Sequence, residues 1–303
     1  IEQHTEAMTQ MEGFFNLYWD NANGSLFWEI SELEKTHDKP FFLACGFTKP
    51  HLPWHVPRKY FDLHPLEKIL IPKTQDSDRD DLPAFGKKLA REVHDVSGPR
   101  NFARHGEDHD MVLKYKQWHR AVQSYLATIS FVDAHVGRLL MALEHSEHAD
   151  NTIVVLWGDH GWHLGEKQHW RKHALWETTT RTTLIISVPG QFQKNQLCWR
   201  PVSLIDLYPT LVELCGLPSR KGLDGQSIVP LLQNPKMEWK RPVLITYGQG
   251  NHAVRTGRWR YIRYHDGGEE LYDHDSDPQE WKNLARLPRH LSMIERLRES
   301  IPK

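Results

Sequence analysis

Apolar residues recur at three- and four-residue steps through Val122, Tyr125, Leu126, Ile129, Val132, Val136, Leu139, Leu140 and Leu143, a spacing that predicts one continuous helix face. A face of that kind needs a sheet to cover. Two β-branched runs supply one, TIVVLW at 152 to 157 and TLIISV at 183 to 188, and their lack of alternation predicts strands covered on both faces. A third run, PFFLACGF at 40 to 47, predicts a buried strand that delivers a proline-stiffened loop from Thr48 to Pro53. Strand, helix and strand in alternation argue for an α/β fold with a mostly parallel sheet flanked by helices. Ligands gather at the carboxyl ends of such strands, where Lys49 to His51 and Asp159 with His160 would lie.

Elsewhere the pattern is less regular. Residues 1 to 35 have no clean period, and residues 72 to 110 are charged and turn-rich, which predicts a long surface excursion holding one short helix near 84 to 93. DLYPTLVELCGLP at 206 to 218 predicts a short amphipathic helix stopped by Gly216 and Pro218. From 241 onward short alternating runs between glycine-containing turns predict a smaller antiparallel subdomain, closed by a helix over 288 to 299. The expected division is therefore an α/β domain over 1 to 235 and a C-terminal subdomain over 236 to 303.

Composition narrows the function classes. The net charge of -1 across 303 residues gives no general pull toward nucleic acid or an anionic membrane, so charge selectivity has to be local. No run of about 18 apolar residues is present to span a bilayer. The first residues, IEQHTEAMTQ, have neither a basic nor an apolar signal region, and a chain starting at Ile1 implies upstream sequence removed or absent. Cys45, Cys198 and Cys215 lie far apart, so neither a disulfide framework nor a thiolate zinc site is implied by spacing; Cys45 and Cys215 sit in apolar runs and read as small buried hydrophobes.

The chemistry concentrates in VVLWGDHGWHLGEKQHWRKHALWE, residues 154 to 177. Asp159 offers a carboxylate and His160 an imidazole, suitable together for a divalent ion, although a strand-end Asp capping a turn beside a half-buried His fits the same spacing. His160, His163, His169 and His173 also raise a zinc reading, weakened by the lack of an acidic or cysteine partner at metal spacing. Lys167, Arg171 and Lys172 form either a solvated basic face or a set of cations for an anion that a metal holds as well. His51, between two prolines in KPHLPW, suits a positioned proton donor or anion-holding imidazole; packing on Trp54 is the alternative.

Taken in order, FFLACGFTKPHLPWHVPRKYFDLHP, YLATISFVDAHVGRLLMALE, NTIVVLWGDHGWHLGEKQHWRKHALWE, PVSLIDLYPTLVELCGLP and ELYDHDSDPQEWKNLA resemble type I sulfatases of the iduronate-2-sulfatase type, within the alkaline phosphatase superfamily. The resemblance runs from about residue 39 to 300. It implies the alkaline-phosphatase-like fold and hydrolysis of a sulfate ester on a sugar, as in glycosaminoglycan or polysaccharide degradation. It implies that Asp159 and His160 are metal ligands, for calcium with magnesium as the alternative, and that Lys172 contacts the sulfate ester oxygens. His51 would stand near the leaving-group oxygen, with Lys49 beside it as a substrate contact. A periplasmic, secreted or lysosomal setting follows from the same resemblance.

One part of the family pattern is missing. The family's Cys-x-Pro-x-Arg segment, whose cysteine becomes formylglycine, does not occur, since Cys45 is followed by Gly-Phe, Cys198 by Trp-Arg and Cys215 by Gly-Leu. Thr182 and Thr183 also stand where the family usually has a proline. The expectation is a C-terminal portion that needs a missing N-terminal chain or segment as its partner and is inactive, or nearly so, alone. Two other readings compete: a phosphate monoester or diester hydrolase of the same superfamily, and a non-catalytic chain that binds anionic sugars through Lys49, Lys172 and neighbouring Trp residues.

Overall fold

The computed structural model describes residues 33, 35 to 91 and 108 to 302, and the backbone pairing of three short strands before them. The chain divides into two compact units, one of residues 1 to 67, 123 to 153 and 188 to 190, the other of residues 68 to 122, 154 to 187 and 191 to 303.

In the first unit, β1 (Thr9–Met11), β2 (Leu17–Asp20) and β3 (Ser25–Trp28) form an antiparallel sheet in that order. The strand expected at 40 to 47 does not form. That segment runs without regular pairing and leaves Phe42 72% exposed, because no neighbouring strand among the described residues takes up its backbone groups. What organises this unit is the long helix Trp118–Glu144, as the apolar spacing predicted. Its inner positions Ala127 and Thr128 are fully buried, and Tyr60 packs edge-on against Phe131 at 5.4 Å. His64 Nε2 meets Ser130 Oγ at 2.8 Å, and the Gln123 amide donates to the His64 carbonyl, so the 54 to 64 segment is tied to the helix by polar contacts as well. By length and composition this helix is apolar enough to cross a bilayer, although Asp133, His135 and Arg138 interrupt its apolar run.

The second unit begins with a departure from expectation. β4 (Val154–Trp157) and β7 (Leu184–Ser187) pair antiparallel, in the register Val154↔Ser187 to Trp157↔Leu184. They are not covered on both faces: Leu156, Trp157 and Ile185 are 36%, 49% and 55% exposed. Only two strands make up this sheet among the described residues; Leu156 and Ile185, paired on one face, and Trp157 on the other are left uncovered. Residues 73 to 77 lie at the surface as expected, but the segment from Asp78 to Ala90 does not. Asp78, Leu82 and Leu89 are each 2% exposed, and the helix Ala84–Ala90 lies within the core.

That core is built by β8 (Val243–Thr246), β9 (His252–Arg255), β10 (Trp259–Arg263) and β11 (Glu269–Asp273), an antiparallel meander. Successive side chains point to opposite faces, and both faces are covered. Ala253, Ile262 and Tyr272 pack with Leu82, Leu89 and Trp176 on one side; Val254, Tyr261 and Leu271 pack with Ile294 and Leu297 of the terminal helix Leu291–Arg298 on the other.

Asp206 begins the helix Leu207–Leu214 and is fully buried. Its carboxylate accepts from Ser203 N and Gln226 N at 2.9 Å each and from Arg241 Nη1 at 2.6 Å. Asp206→Asn keeps the shape but puts an amide N–H against one of these donors, so a loss of about 2 kcal/mol in unfolding free energy is expected from urea denaturation. At the other end of the helix Gly216 adopts φ 63°, and Cys215, expected to be buried, is exposed.

Candidate active site

Residues 158 to 173 leave β4 and return as a hairpin. Gly158 N donates to Thr183 O, and Gly161 N donates to Thr179 O at 2.6 Å, which draws the chain so close that a Cβ on Gly161 would stand 2.0 Å from the Thr178 carbonyl oxygen. Only glycine fits there. β5 (His163–Leu164) then pairs with β6 (Trp170–Arg171) in the register His163↔Arg171 and Leu164↔Trp170. That register makes Lys172 leave the hairpin at the end where Asp159 and His160 enter it.

Asp159 and His160 face each other. His160 N donates to Asp159 Oδ1 at 3.0 Å, and His160 Nε2 lies 3.3 Å from Asp159 Oδ2. The imidazole Nδ1 is 2.8 Å from the Gly161 carbonyl oxygen, an acceptor only, so the ring proton sits on Nδ1 when His160 is neutral. Nε2 then presents a lone pair toward a carboxylate lone pair. Two donors so placed repel unless a proton or a metal ion lies between them. Adjacent ligands of one ion at about 2.4 Å and right angles would be about 3.4 Å apart, close to the spacing seen. The donor set thus fits a divalent ion. Asp159 is 83% exposed, which leaves the carboxylate open to further coordination.

The hairpin separates the three cations that the sequence groups together. Lys167 is 3% exposed, ion-paired to Asp78 at 2.8 Å and bonded to the Glu280 carbonyl, with Trp176 and Tyr272 against its ammonium. Arg171 pairs with Asp108 at 3.0 Å. Lys172 is half-buried, and among the described residues it makes no ion pair. Lys167 and Arg171 therefore fasten the hairpin. Trp118 adds a further tie, donating to Leu164 O at 2.7 Å and lying against Gly165, whose φ of 120° favours glycine.

The other histidines do not gather around a metal. His163 is 1% exposed, its Nδ1–H donates to Glu166 O, and burial reinforced by His169 and Lys167 keeps it neutral, with a pKa well below the usual range. His163 and His169 stand edge-on to each other and to Trp176.

Sequence reasoning missed a second polar centre beneath the hairpin. Arg260, 1% exposed, contacts Glu177 and lies 2.6 Å from Glu280, a charge contact in which the Nε–H is not aligned for a hydrogen bond. Glu280 also accepts from His274 Nε2 at 2.9 Å and from Glu177 N. Arg255 donates to Glu177 at 3.0 Å and to His274 Nδ1 at 3.1 Å. Glu177, His274 and Glu280 have the geometry of three metal ligands, but two guanidinium groups already match their charge. Burial would raise the Glu177 carboxyl, yet Arg260 and Arg255 override it and hold it at about 2. The available signal was a charged residue inside an apolar strand, Arg260 in WRYIR.

Lys49 and His51 lie in the first unit, on a loop stapled to itself. His51 N donates to Thr48 O, Trp54 Nε1 to Pro50 O, His51 Nδ1 to Leu52 O at 2.7 Å, and the Lys49 ammonium to Pro53 O. Burial lowers the Lys49 pKa. Cys45 is half-buried and its thiol is pushed up to about 11 by burial, which keeps it un-ionised.

Comparison with known proteins matches residues 2–217 to the sulfatase family and residues 165–303 to the C-terminal region of N-sulphoglucosamine sulphohydrolase. A sulfatase of Formosa agariphila is 41% identical over 276 residues, covering 91% of this chain and 52% of its own length. Human iduronate 2-sulfatase is 33% identical over 215 residues, covering 62% of this chain and 38% of its own. A solved structure in complex with its substrate D-glucosamine-2-N,6-O-disulfate superposes with a TM-score of 0.67 at 20% identity, covering 94% of this chain and 71% of that one, a likeness of fold. The chain spans about half the length of the curated relatives it matches most fully.

Proposed function

Since the chain belongs to the sulfatase family, we propose that it carries the metal-and-cation side of a site that hydrolyses sulfate esters of sugars. The observation that carries this reading is the pair of lone-pair donors on Asp159 and His160, 3.3 Å apart, at the mouth of the hairpin that also presents Lys172. Sulfatases generally use a divalent metal, and here Asp159 and His160 would hold it, as calcium or magnesium. Bound there, it would neutralise charge on the sulfuryl oxygens. Two protein ligands fall short of the six to eight oxygens calcium takes, so other carboxylates complete the set.

Lys172 supplies a fixed positive charge for the sulfuryl oxygens, which lowers the cost of charge that builds there in the transition state. His51 would hand a proton to the departing sugar oxygen through Nε2, and Lys49 would serve as a substrate contact. The nucleophile would come from a Cys-x-Pro-x-Arg segment outside these residues, through hydrated formylglycine, and these 303 residues alone would be inactive or nearly so.

Protein expressed from the complete reading frame should release sulfate from a 6-O-sulfated amino sugar or a 2-O-sulfated uronic acid. Release should fall to background after treatment with a chelator and return on adding calcium or magnesium. Turnover that persists in metal-free protein, verified by elemental analysis, would refute the reading.

A further inference from the structure

Lys172 sits between two residues in left-handed backbone, Arg171 at φ 71° and His173 at φ 69°. Side chains other than glycine resist that conformation, and it persists only where surrounding contacts over-determine it. One such contact is made to Lys172 itself. His169 Nε2 lies 2.8 Å from the Lys172 carbonyl oxygen, and its Nδ1 is 3.3 Å from the Ala90 carbonyl oxygen. Both acceptors are carbonyl oxygens, and the shorter contact is the one to Lys172. The ring is 1% exposed and wedged edge-on against His163 and Trp176, at 5.0 and 6.0 Å between ring centroids. It is an anchor with little room to turn.

We propose that His169 is a positioning residue for Lys172, setting the point from which the ammonium reaches the sulfuryl oxygens. The proposal rests on the reading of Lys172 as the sulfate-binding cation. A lysine ammonium is a point charge on a flexible four-carbon stem, so its aim depends on where the backbone holds the stem's root. A displacement of about 1 Å at a reacting centre is enough to cost about a hundredfold in rate.

His169→Phe keeps an aromatic ring and removes the donor; His169→Gln keeps an N–H within reach of the Lys172 carbonyl. In protein from the complete reading frame assayed with a chromogenic aryl sulfate, His169→Phe is expected to lower kcat about 10- to 100-fold, and His169→Gln to recover most of that loss. The decisive comparison is a double-mutant cycle. Lys172→Ala should cost much less in the His169→Phe background than in the wild type, because the ammonium is already misplaced there. Equal costs in the two backgrounds, or an unchanged rate in His169→Phe, would overturn the proposal alone. A Lys172→Ala variant with wild-type kcat/KM would overturn the reading of Lys172 and this proposal with it. If His169→Phe does not fold, His169→Asn carries the same comparison against His169→Gln, since its shorter amide falls short of the Lys172 carbonyl.

Discussion

Asp159→Ala, in protein from the complete reading frame, is expected to lower kcat/KM for a sulfate ester by about 10³-fold while leaving thermal unfolding almost unchanged. The two halves of that expectation have separate causes. Asp159 is 83% exposed, and its one backbone contact, from His160 N to Oδ1, is local, so its removal creates neither a cavity nor a buried unpaired group. Surface changes of that kind stay within about 0.5 kcal/mol. The carboxylate is nevertheless the charged half of the proposed metal pair. Without it His160 Nε2 is a single neutral ligand, and the transition-state stabilisation that a metal supplies is worth several kcal/mol, each 1.4 kcal/mol being about tenfold in rate. Asp159→Asn should fall nearly as far, since it keeps an acceptor for His160 N but loses the charge. Elemental analysis and steady-state kinetics on the same samples provide the check. A variant that still binds metal and still turns over would remove Asp159 from the site.

Arg260→Met should do the opposite, unfolding the second unit more readily whether or not substrate is present. Arg260 is 1% exposed and faces Glu177, Glu280, the Leu175 carbonyl at 2.9 Å and Thr180 Oγ1 at 2.9 Å. Methionine fills much of the volume but leaves two carboxylates with less compensation in a buried site. Breaking one partner out of a buried ion network costs about 3 to 5 kcal/mol, or roughly a 10 °C fall in Tm for a unit of this size. The effect should depend on pH with a definite sign. Burial opposes ionisation of Glu177, but Arg260 and Arg255 together hold its folded-state pKa at about 2, below the ordinary 4.5. A depressed carboxyl contributes stability that is fully present above 4.5 and is lost as pH falls toward about 2, on the order of 2 to 3 kcal/mol here. Glu280 is shifted the same way, its burial outweighed by Arg260 and His274. In Arg260→Met both carboxyls rise, so acid unfolding followed by circular dichroism should begin at higher pH than in the wild type. Identical acid limbs would show that Arg260 is not what holds them ionised.

These two predictions separate what was legible in the chain from what was not. Asp159 and His160 stand out in sequence because an acidic residue and an imidazole directly after an apolar strand are chemically conspicuous. Arg260 and Glu280 do not, since nothing local says that a guanidinium inside WRYIR meets a carboxylate in SDPQEW across the sheet. Similarly, Lys167, Arg171 and Lys172 look alike as a basic run, and their separate roles appear only once Asp78 and Asp108 arrive from distant segments.

The long helix, the helix Leu207–Leu214, the C-terminal meander and the terminal helix were determined by the sequence alone, because apolar period and turn residues act over a few neighbours and need no partner to be read. The strand-end position of Asp159 and His160 was determined in the same way. Tertiary structure alone decided that β4 and β7 run antiparallel, that residues 40 to 47 form no strand, and that Asp78, Leu82 and Leu89 enter the core. Strand direction, strand pairing and the burial of a charge each depend on a group brought in from far along the chain, and such contacts leave no periodic trace in the local pattern of apolar and polar residues.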